Sequence, residues 1–405
     1  MSPIFIDLPG ELIENICQNL DSASLCFLRL VCKALDDKCF QSWAKQCFTT
    51  VRTDFSSDSL ERLEAIASTE VVRQQVQTLF IQSTYRGDFG AKLPWFRNED
   101  GHLLNSQPST HALRIILCQR LPNCRSFYIH GPNDEANERI NITTTEMTTL
   151  ILNLIAETGL NIRSFSVDLK GDHPSSTSHG SGWLSGPRLQ SSLIRHGERF
   201  REGWAYLRSL HLHIDIKSET ARWTCDLVQL APNLKSLSLT FDYAEEEACR
   251  KTISLNLPPL QELCLRSAYL TEKVLLRFLD SSRLSLQALK LRFIHLDASL
   301  DAGGTWGSVL QGLSEDFAQL KSISLFGIHR IRSIIEMPGS SPERSRVFFT
   351  PLAQDARIPN TQGEHFDLTM KKIRQKPRVI GVSYQGNHMR EALTMLEESA
   401  NFVDS

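Results

Sequence analysis

Three groups of residues carry side chains able to do chemistry. His211 and His213 stand one residue apart, which puts both imidazoles on one side of an extended strand and offers half of a metal site. No third ligand follows at metal spacing. With Leu210 and Leu212 turned inward, the pair reads equally as two polar residues on a solvated face. His179-Gly-Ser-Gly182 has the residue types of a nucleophile turn. It lacks the five-residue Gly-x-Ser-x-Gly spacing and sits in a Gly/Ser/Pro-rich stretch, not between a strand and a helix. Arg266, Lys290 and Arg292 are the third group. Arginine forks suit bidentate capture of a carboxylate or phosphate, so the three could hold an acidic or phosphorylated segment; alternatively they only solvate a strand face. There is no glycine-rich phosphate loop followed by Lys-Ser or Lys-Thr, and no Cys-x-x-Cys pair among the ten cysteines. No catalytic residue, metal or cofactor is expected.

These residues belong to a recurring phrase, apolar-x-x-apolar-x-apolar. It runs through Cys124/Phe127/Ile129, Ile162/Phe165/Val167, Leu207/Leu210/Leu212, Leu234/Leu237/Leu239, Leu260/Leu263/Leu265, Leu286/Leu289/Leu291 and Leu320/Ile323/Leu325, with Val76/Leu79/Ile81 an earlier instance. From Leu207 the starts step by 27, 26, 26 and 34 residues; before it the steps are 38 and 45. Amphipathic helix candidates fill the gaps: Thr110–Leu121, Thr144–Thr158, Arg188–Phe200, Glu219–Leu230, Glu245–Ile253, Glu272–Leu279 and Trp306–Leu320. Another helix is expected over Ser59–Gln75, followed by a long loop over Ser83–Pro108.

Strand, turn and helix at a period in the twenties is the signature of leucine-rich repeats, whose units bury their apolar faces by stacking. The usual Asn or Cys past the last strand leucine is replaced by Asp215, Asp242, Ala268, Ile294 and Ile328, so an irregular solenoid is expected. The alternative is an ordinary α/β domain with parallel strands. Insertions at His130–Ile142 and Lys170–Pro187 interrupt the period. Because strand residues alternate sides, the open face should carry His211, His213, Ser236, Ser238, Thr240, Glu262, Cys264, Arg266, Lys290, Arg292, Ser324 and Phe326. After a breaker at Met337–Pro342, a strand over Arg378–Tyr384 and a helix over Met389–Phe402 read as a terminal cap.

The net charge of −2 gives no global field to draw nucleic acid or a membrane, and neither is expected as a partner. The N-terminus lacks a basic stretch followed by an apolar run, and no stretch reaches the ~18 apolar residues of a spanning helix. An intracellular protein, cytoplasmic or nuclear, with reduced thiols is expected. The cation run Lys371–Arg378 reads as a nuclear address or a solvated turn.

The first fifty residues have a different texture. Pro9 suits the first turn of a helix, and Leu12, Ile13, Ile16, Cys17 and Leu20 form one stripe at helical period. Asp21, Ser22 and Ser24 offer caps for a second helix, whose apolar residues Leu25, Phe27, Leu28, Leu30, Val31 and Leu35 are too many for one face. Some must face the first helix and some a neighbour.

Leu8-Pro9, Glu11-Leu12-Ile13, Ile16, Leu20-Asp21, Ser24-Leu25, Leu28-Arg29 and Val31-Cys32-Lys33 occur in the order and spacing of the F-box, which this segment resembles. The F-box is the adaptor-docking motif of Skp–cullin–F-box ubiquitin ligases. The resemblance implies that Leu8, Pro9, Leu12, Ile16, Leu20, Leu25, Leu28, Val31, Cys32 and Lys33 meet a Skp-type adaptor and, through it, a cullin scaffold. An F-box with degenerate repeats, insertions and a strand–helix tail is most similar to the large fungal F-box families. The expected architecture is α/β: an all-helical F-box over residues 1–50, a leucine-rich-repeat solenoid over 51–335 that binds a protein substrate, and a linker with a strand–helix cap over 336–405. The implied role is a non-catalytic substrate receptor. The alternative is an interaction scaffold that uses the adaptor without directing ubiquitination.

Overall fold

The computed structural model describes residues 8–83, 89–132, 142–170, 182–189, 197–242, 246–253, 255–297, 305–332, 343–349, 366–373 and 376–404. The chain opens with three helices, α1 (Gly10–Gln18), α2 (Ser22–Val31) and α3 (Lys33–Phe48). Pro9 is the residue that caps α1 rather than its first helical residue. Asp21 caps α2 by accepting the Ser24 N–H at 2.7 Å. At Cys32 the backbone is extended (φ −165°, ψ 161°), which ends α2 and starts α3 in a new direction. Ile13, Cys17, Leu25, Leu35 and Cys39 form a small core between the three helices. Arg29 pairs with Asp36 at 2.6 Å and lies over the Trp43 ring, 3.6 Å from its centroid, locking α2 to α3.

A sheet begins immediately after α3. Its strands are β1 (Thr50–Thr53), β2 (Thr78–Gln82), β3 (Ser126–Pro132), β4 (Ser164–Lys170), β5 (Ser209–Ile216), β6 (Ser236–Phe241), β7 (Glu262–Arg266), β9 (Ala288–Arg292) and β11 (Ser322–Phe326), each parallel to the next. Every apolar phrase of the sequence lands on one of these strands. Its middle residues fall in register from Leu79 through Phe127, Phe165, Leu210, Leu237, Leu263 and Leu289 to Ile323. All eight are buried in one continuous core.

Helices connect the strands: α4 (Ser57–Ser68), α5 (Glu70–Gln75), α6 (Pro108–Ile115), α7 (Thr144–Thr158), α8 (Glu198–Trp204), α9 (Ser218–Gln229), α10 (Glu246–Ile253), α11 (Glu272–Asp280) and α12 (Trp306–Asp316). Apart from α5, their apolar sides join the same core. The capping box at Thr143 and Glu146 starts α7, and Glu146 also holds Arg97 through two hydrogen bonds of 2.6 and 2.9 Å. That pair ties the loop before α6 to the helix layer. No helix among the described residues is long and apolar enough to cross a membrane.

Several expectations are corrected. The helix expected over Ser59–Gln75 is two helices, because Thr69 is extended and breaks it. Strand β1 was not foreseen; Val51 and Thr53 alternate inward, but the stretch is too short to announce itself. The helix expected over Arg188–Phe200 is observed as α8, which starts ten residues later; residues 190–196 lie outside the described set. The two insertions fall largely on 133–141 and 171–181, and the breaker on 337–342, also outside it.

A second sheet was likewise not foreseen. Short strands β8 (Tyr269–Leu270), β10 (His295–Asp297) and β12 (His329–Arg332) lie parallel, and β13 (Glu343–Phe349) and β16 (Ala400–Asp404) extend them antiparallel. The strand–helix tail is therefore richer than expected. β14 (Asp367–Ile373) and β15 (Lys376–Gln385) continue the large sheet antiparallel from β11, and α13 (Met389–Ser399) packs on α12. The tail thus covers the last strand of both sheets.

The two sheets meet at a repeated turn. Ser267, Phe293 and Gly327 each follow the last residue of a large-sheet strand, with φ of 58°, 53° and 60°. Buried Ala268, Ile294 and Ile328 come next and lead into the second sheet. These occupy places where a polar ladder would stand in a regular repeat. Gly327 is required by space as well as by φ, since a Cβ there would meet the Phe293 ring at 2.7 Å. Ser267 bears the left-handed strain with a side chain, and its buried hydroxyl has no hydrogen-bond partner among the described residues. Ser267→Gly is expected to raise stability by about 1 kcal/mol, read as a higher thermal midpoint. An unchanged or lower midpoint would contradict this account of the turn.

Candidate functional site

Two surfaces stand out, one on the helical head and one on the open face of the large sheet. On the head, the stripe of α1 splits. Ile13 and Cys17 are buried, while Leu12 and Ile16, one turn apart, are 48% and 36% exposed. On α2, Phe27, Leu30 and Val31 are 71%, 81% and 68% exposed. Five large apolar side chains in so small a unit, left in water by its own packing, mark an interaction surface.

This sorts the residues expected to meet a partner. Leu12, Ile16 and Val31 are uncovered; Pro9 and Lys33 are exposed; Leu8, Leu20, Leu28 and Cys32 are half-buried against the small core. Leu25 is corrected: at 1% exposure it packs beneath α2 and serves the head's own core. Phe27 and Leu30, absent from the expected set, are among the most exposed. Helical period alone could not say which side of an over-apolar α2 faces α3.

Burial, reinforced by the neighbouring Cys17 thiol, pushes Cys39 up to about 12. None of the ten cysteines is in a disulfide.

On the open face the residues between the inward leucines stack in rows. One row runs Arg52, Phe80, Tyr128, Ser166, His211, Ser238, Cys264, Lys290, Ser324 through the parallel pairings. A groove of about 430 Å³ lies across β5 to β11 and the end of β15. His211, His213, Ser236, Ser238, Glu262, Cys264, Lys290, Arg292, Ser322 and Gln385 line it. The sequence expectation thus placed most of the groove. Arg266 is not among the lining residues, but it is in register with Arg292 on the adjacent strand. Thr240, expected on this face, is 1% exposed and covered.

His211 and His213 are not freely solvated. His211 Nε2 shares a hydrogen bond of 2.7 Å with the Ser209 hydroxyl, and His213 Nε2 one of 3.0 Å with the Ser238 hydroxyl. Burial lowers both pKa values from the ordinary 6.5; for His211 the neighbouring His213 adds to it, and for His213 burial, helped by nearby Arg266 and Arg292, prevails over the opposing effect of Asp168. Both are neutral at pH 7. Lys290 and Arg292 are exposed, and among the described residues neither they nor Arg266 forms an ion pair. The groove therefore offers unneutralised cations beside a single carboxylate, Glu262, whose Oε2 accepts the Ser236 hydroxyl at 3.1 Å.

The half of the face from β1 to β4 was missed by the sequence reading, although the same alternation marks it at Phe80, Tyr128 and Asp168. His179 and Ser181 lie outside the described residues; Gly182 donates its N–H to Asp215 Oδ2 at 3.2 Å.

The head presents bare apolar ridges and the parallel sheet an open, grooved face. Residues 5–35, which include α1 and α2, match the F-box domain. No curated protein matches the chain.

Two outcomes follow from this geometry. Leu25→Ala should destabilise the head by about 2–4 kcal/mol, whereas Leu30→Ala should change stability by less than about 0.5 kcal/mol; urea unfolding followed at Trp43 separates them. Lowered histidine pKa values mean that the unfolded chain binds protons more readily. Stability is then fully present above about pH 6.5 and falls as pH drops from there through the lowered folded values. Replacing both histidines with glutamine should flatten the loss of urea midpoint between pH 7 and 5.

Proposed function

We propose that this protein is a substrate receptor of a Skp–cullin–F-box ubiquitin ligase, of the fungal type that joins an F-box to degenerate leucine-rich repeats. The F-box head docks a Skp-type adaptor through Leu12, Ile16, Phe27, Leu30 and Val31 and through it a cullin scaffold. The repeats hold a protein substrate on the open face. The observation that carries the reading is the F-box match over a head whose apolar side chains are left bare by its own fold. Sequential parallel strands, a period in the twenties and a repeated left-handed turn support the leucine-rich-repeat reading of the sheet.

The mechanism is proximity. Holding a substrate near a ubiquitin thioester carried by another subunit raises the effective concentration of its lysines, and no nucleophile is asked of this chain. The substrate segment is acidic or phosphorylated, held by Arg266, Lys290 and Arg292. The protein acts in the cytoplasm or nucleus.

The decisive experiment is co-expression with a Skp-type adaptor and isolation of the complex. Leu12→Ala with Ile16→Ala should abolish complex formation, because truncating a buried interface anchor costs about 2–4 kcal/mol per residue. The double variant should keep the wild-type far-ultraviolet circular dichroism. Absence of a complex with folded wild-type chain would overturn the proposal. Complex formation without adaptor-dependent ubiquitination of a captured partner would leave only a scaffold.

A further inference from the structure

The part of the open face beyond the groove carries a second charged centre. Tyr128 donates its phenol hydrogen to Asp168 Oδ2 at 2.7 Å, and His130 Nδ1 lies 3.5 Å from an oxygen of the same carboxylate. Asp168 Oδ1 accepts no hydrogen bond from any described residue, and the side chain is 29% exposed. Burial would raise the Asp168 pKa, but the adjacent His130 imidazole, the Tyr128 hydrogen bond and nearby His213 outweigh it, so the carboxylate is ionised at neutral pH. Beside it Phe80 stacks on Tyr128, with centroids 4.7 Å apart and planes at 10°. A carboxylate pinned by one oxygen and open at the other, next to a flat aromatic stack, suits an ammonium or guanidinium group. The stack already takes one cation: Arg52 lies 5.5 Å from the Phe80 centroid.

The basic end lies on the same face at a distance fixed by the ladder. β4, β5, β6, β7 and β9 are successive neighbours. Asp168 is thus three strand spacings from Arg266 and four from Lys290 and Arg292, about 14–20 Å. His213, in register with Asp168, stands between the two charges. Extended chain rises ~3.3 Å per residue, so about four to six residues bridge the gap.

We infer that the open face reads an extended protein segment carrying a lysine or arginine and, about four to six residues away, an acidic or phosphorylated residue. The cation seats at Tyr128–Asp168 and the anion at Arg266–Arg292. This rests on the proposed receptor reading of the face and adds a spacing rule to it. A single basic patch would collect any anionic chain. Two opposite charges at a fixed separation penalise segments with the wrong spacing or sign, nucleic acid included.

Fluorescence anisotropy with the 405-residue chain and short labelled peptides on a neutral Gly/Ser/Ala background tests it. One probe carries phosphoserine and lysine about five residues apart. Others replace phosphoserine by glutamate, place the two charges side by side, or replace lysine by norleucine. The spaced probe, in at least one of its two anionic forms, should bind about tenfold tighter than the adjacent-charge and norleucine probes. The form that binds identifies the anion. Asp168→Asn keeps an acceptor for Tyr128 and should erase the advantage of lysine while leaving the dependence on the anion. Spaced and adjacent probes binding alike, but lost on Arg266→Glu with Arg292→Glu, would overturn the spacing rule and leave a plain anion-binding face. No binding by any probe, or binding indifferent to both arginines, would overturn the substrate face as well. An oligonucleotide that bound more tightly than the spaced peptide would also sink the inference.

Discussion

The parallel backbone ladder is the constraint on which everything else rests. Once Thr50 pairs with Thr78 and each following strand keeps the same register, every side chain is assigned to the core or to the open face. The leucines of the phrase then have only one place to go. Each strand buries its apolar side under the helix that follows it, and the same pairing lines up the remaining residues in rows across the face. The open face is the reverse side of the core pattern.

The ladder is interrupted once within its parallel part, where the register between β5 and β6 shifts between Leu212 and Asp215. The shift turns Asp215 toward Gly182 and brings Thr240 under cover, so the rows are less regular beyond the histidines. His213, the register partner of Asp168, falls within this irregularity, and the arginines lie on strands beyond it. Beyond β11 the sheet continues with antiparallel β15 and β14, and β15 contributes Gln385 to the groove; the tail thus shapes the groove as well as covering the edge of β11.

The head solves a different problem. A unit of about fifty residues buries too little surface to be well stabilised by its core alone. Here Trp43 and Phe48 pack edge to face with centroids 5.0 Å apart, and Phe48 reaches the core of the sheet domain. Arg29 braces the same tryptophan. The head is thereby fixed to the first strand, and its uncovered ridges on α1 and α2 are not needed for its own integrity. Such division of labour allows the ridges of the head and the open face of the sheet to be altered independently by mutation.

Much of this was legible in the sequence. The period of the apolar phrases determined the strands, their parallel order and most of the groove, because a two-residue alternation and a repeated step leave few other arrangements. The F-box signature and the Asp21 cap were local and equally visible. What only the tertiary structure decided were features set by packing between distant segments. Leu25 and Leu30 have the same character in the sequence; packing among the three helices buries the first and leaves the second bare. The second sheet arises from strands too short to show a period, held by the turns at Ser267, Phe293 and Gly327. Tyr128 and Asp168 are forty residues apart, and the 2.7 Å bond that makes them one site exists because β3 and β4 are neighbours. Sequence patterns specify which face a residue takes; only the assembled ladder specifies what stands beside it.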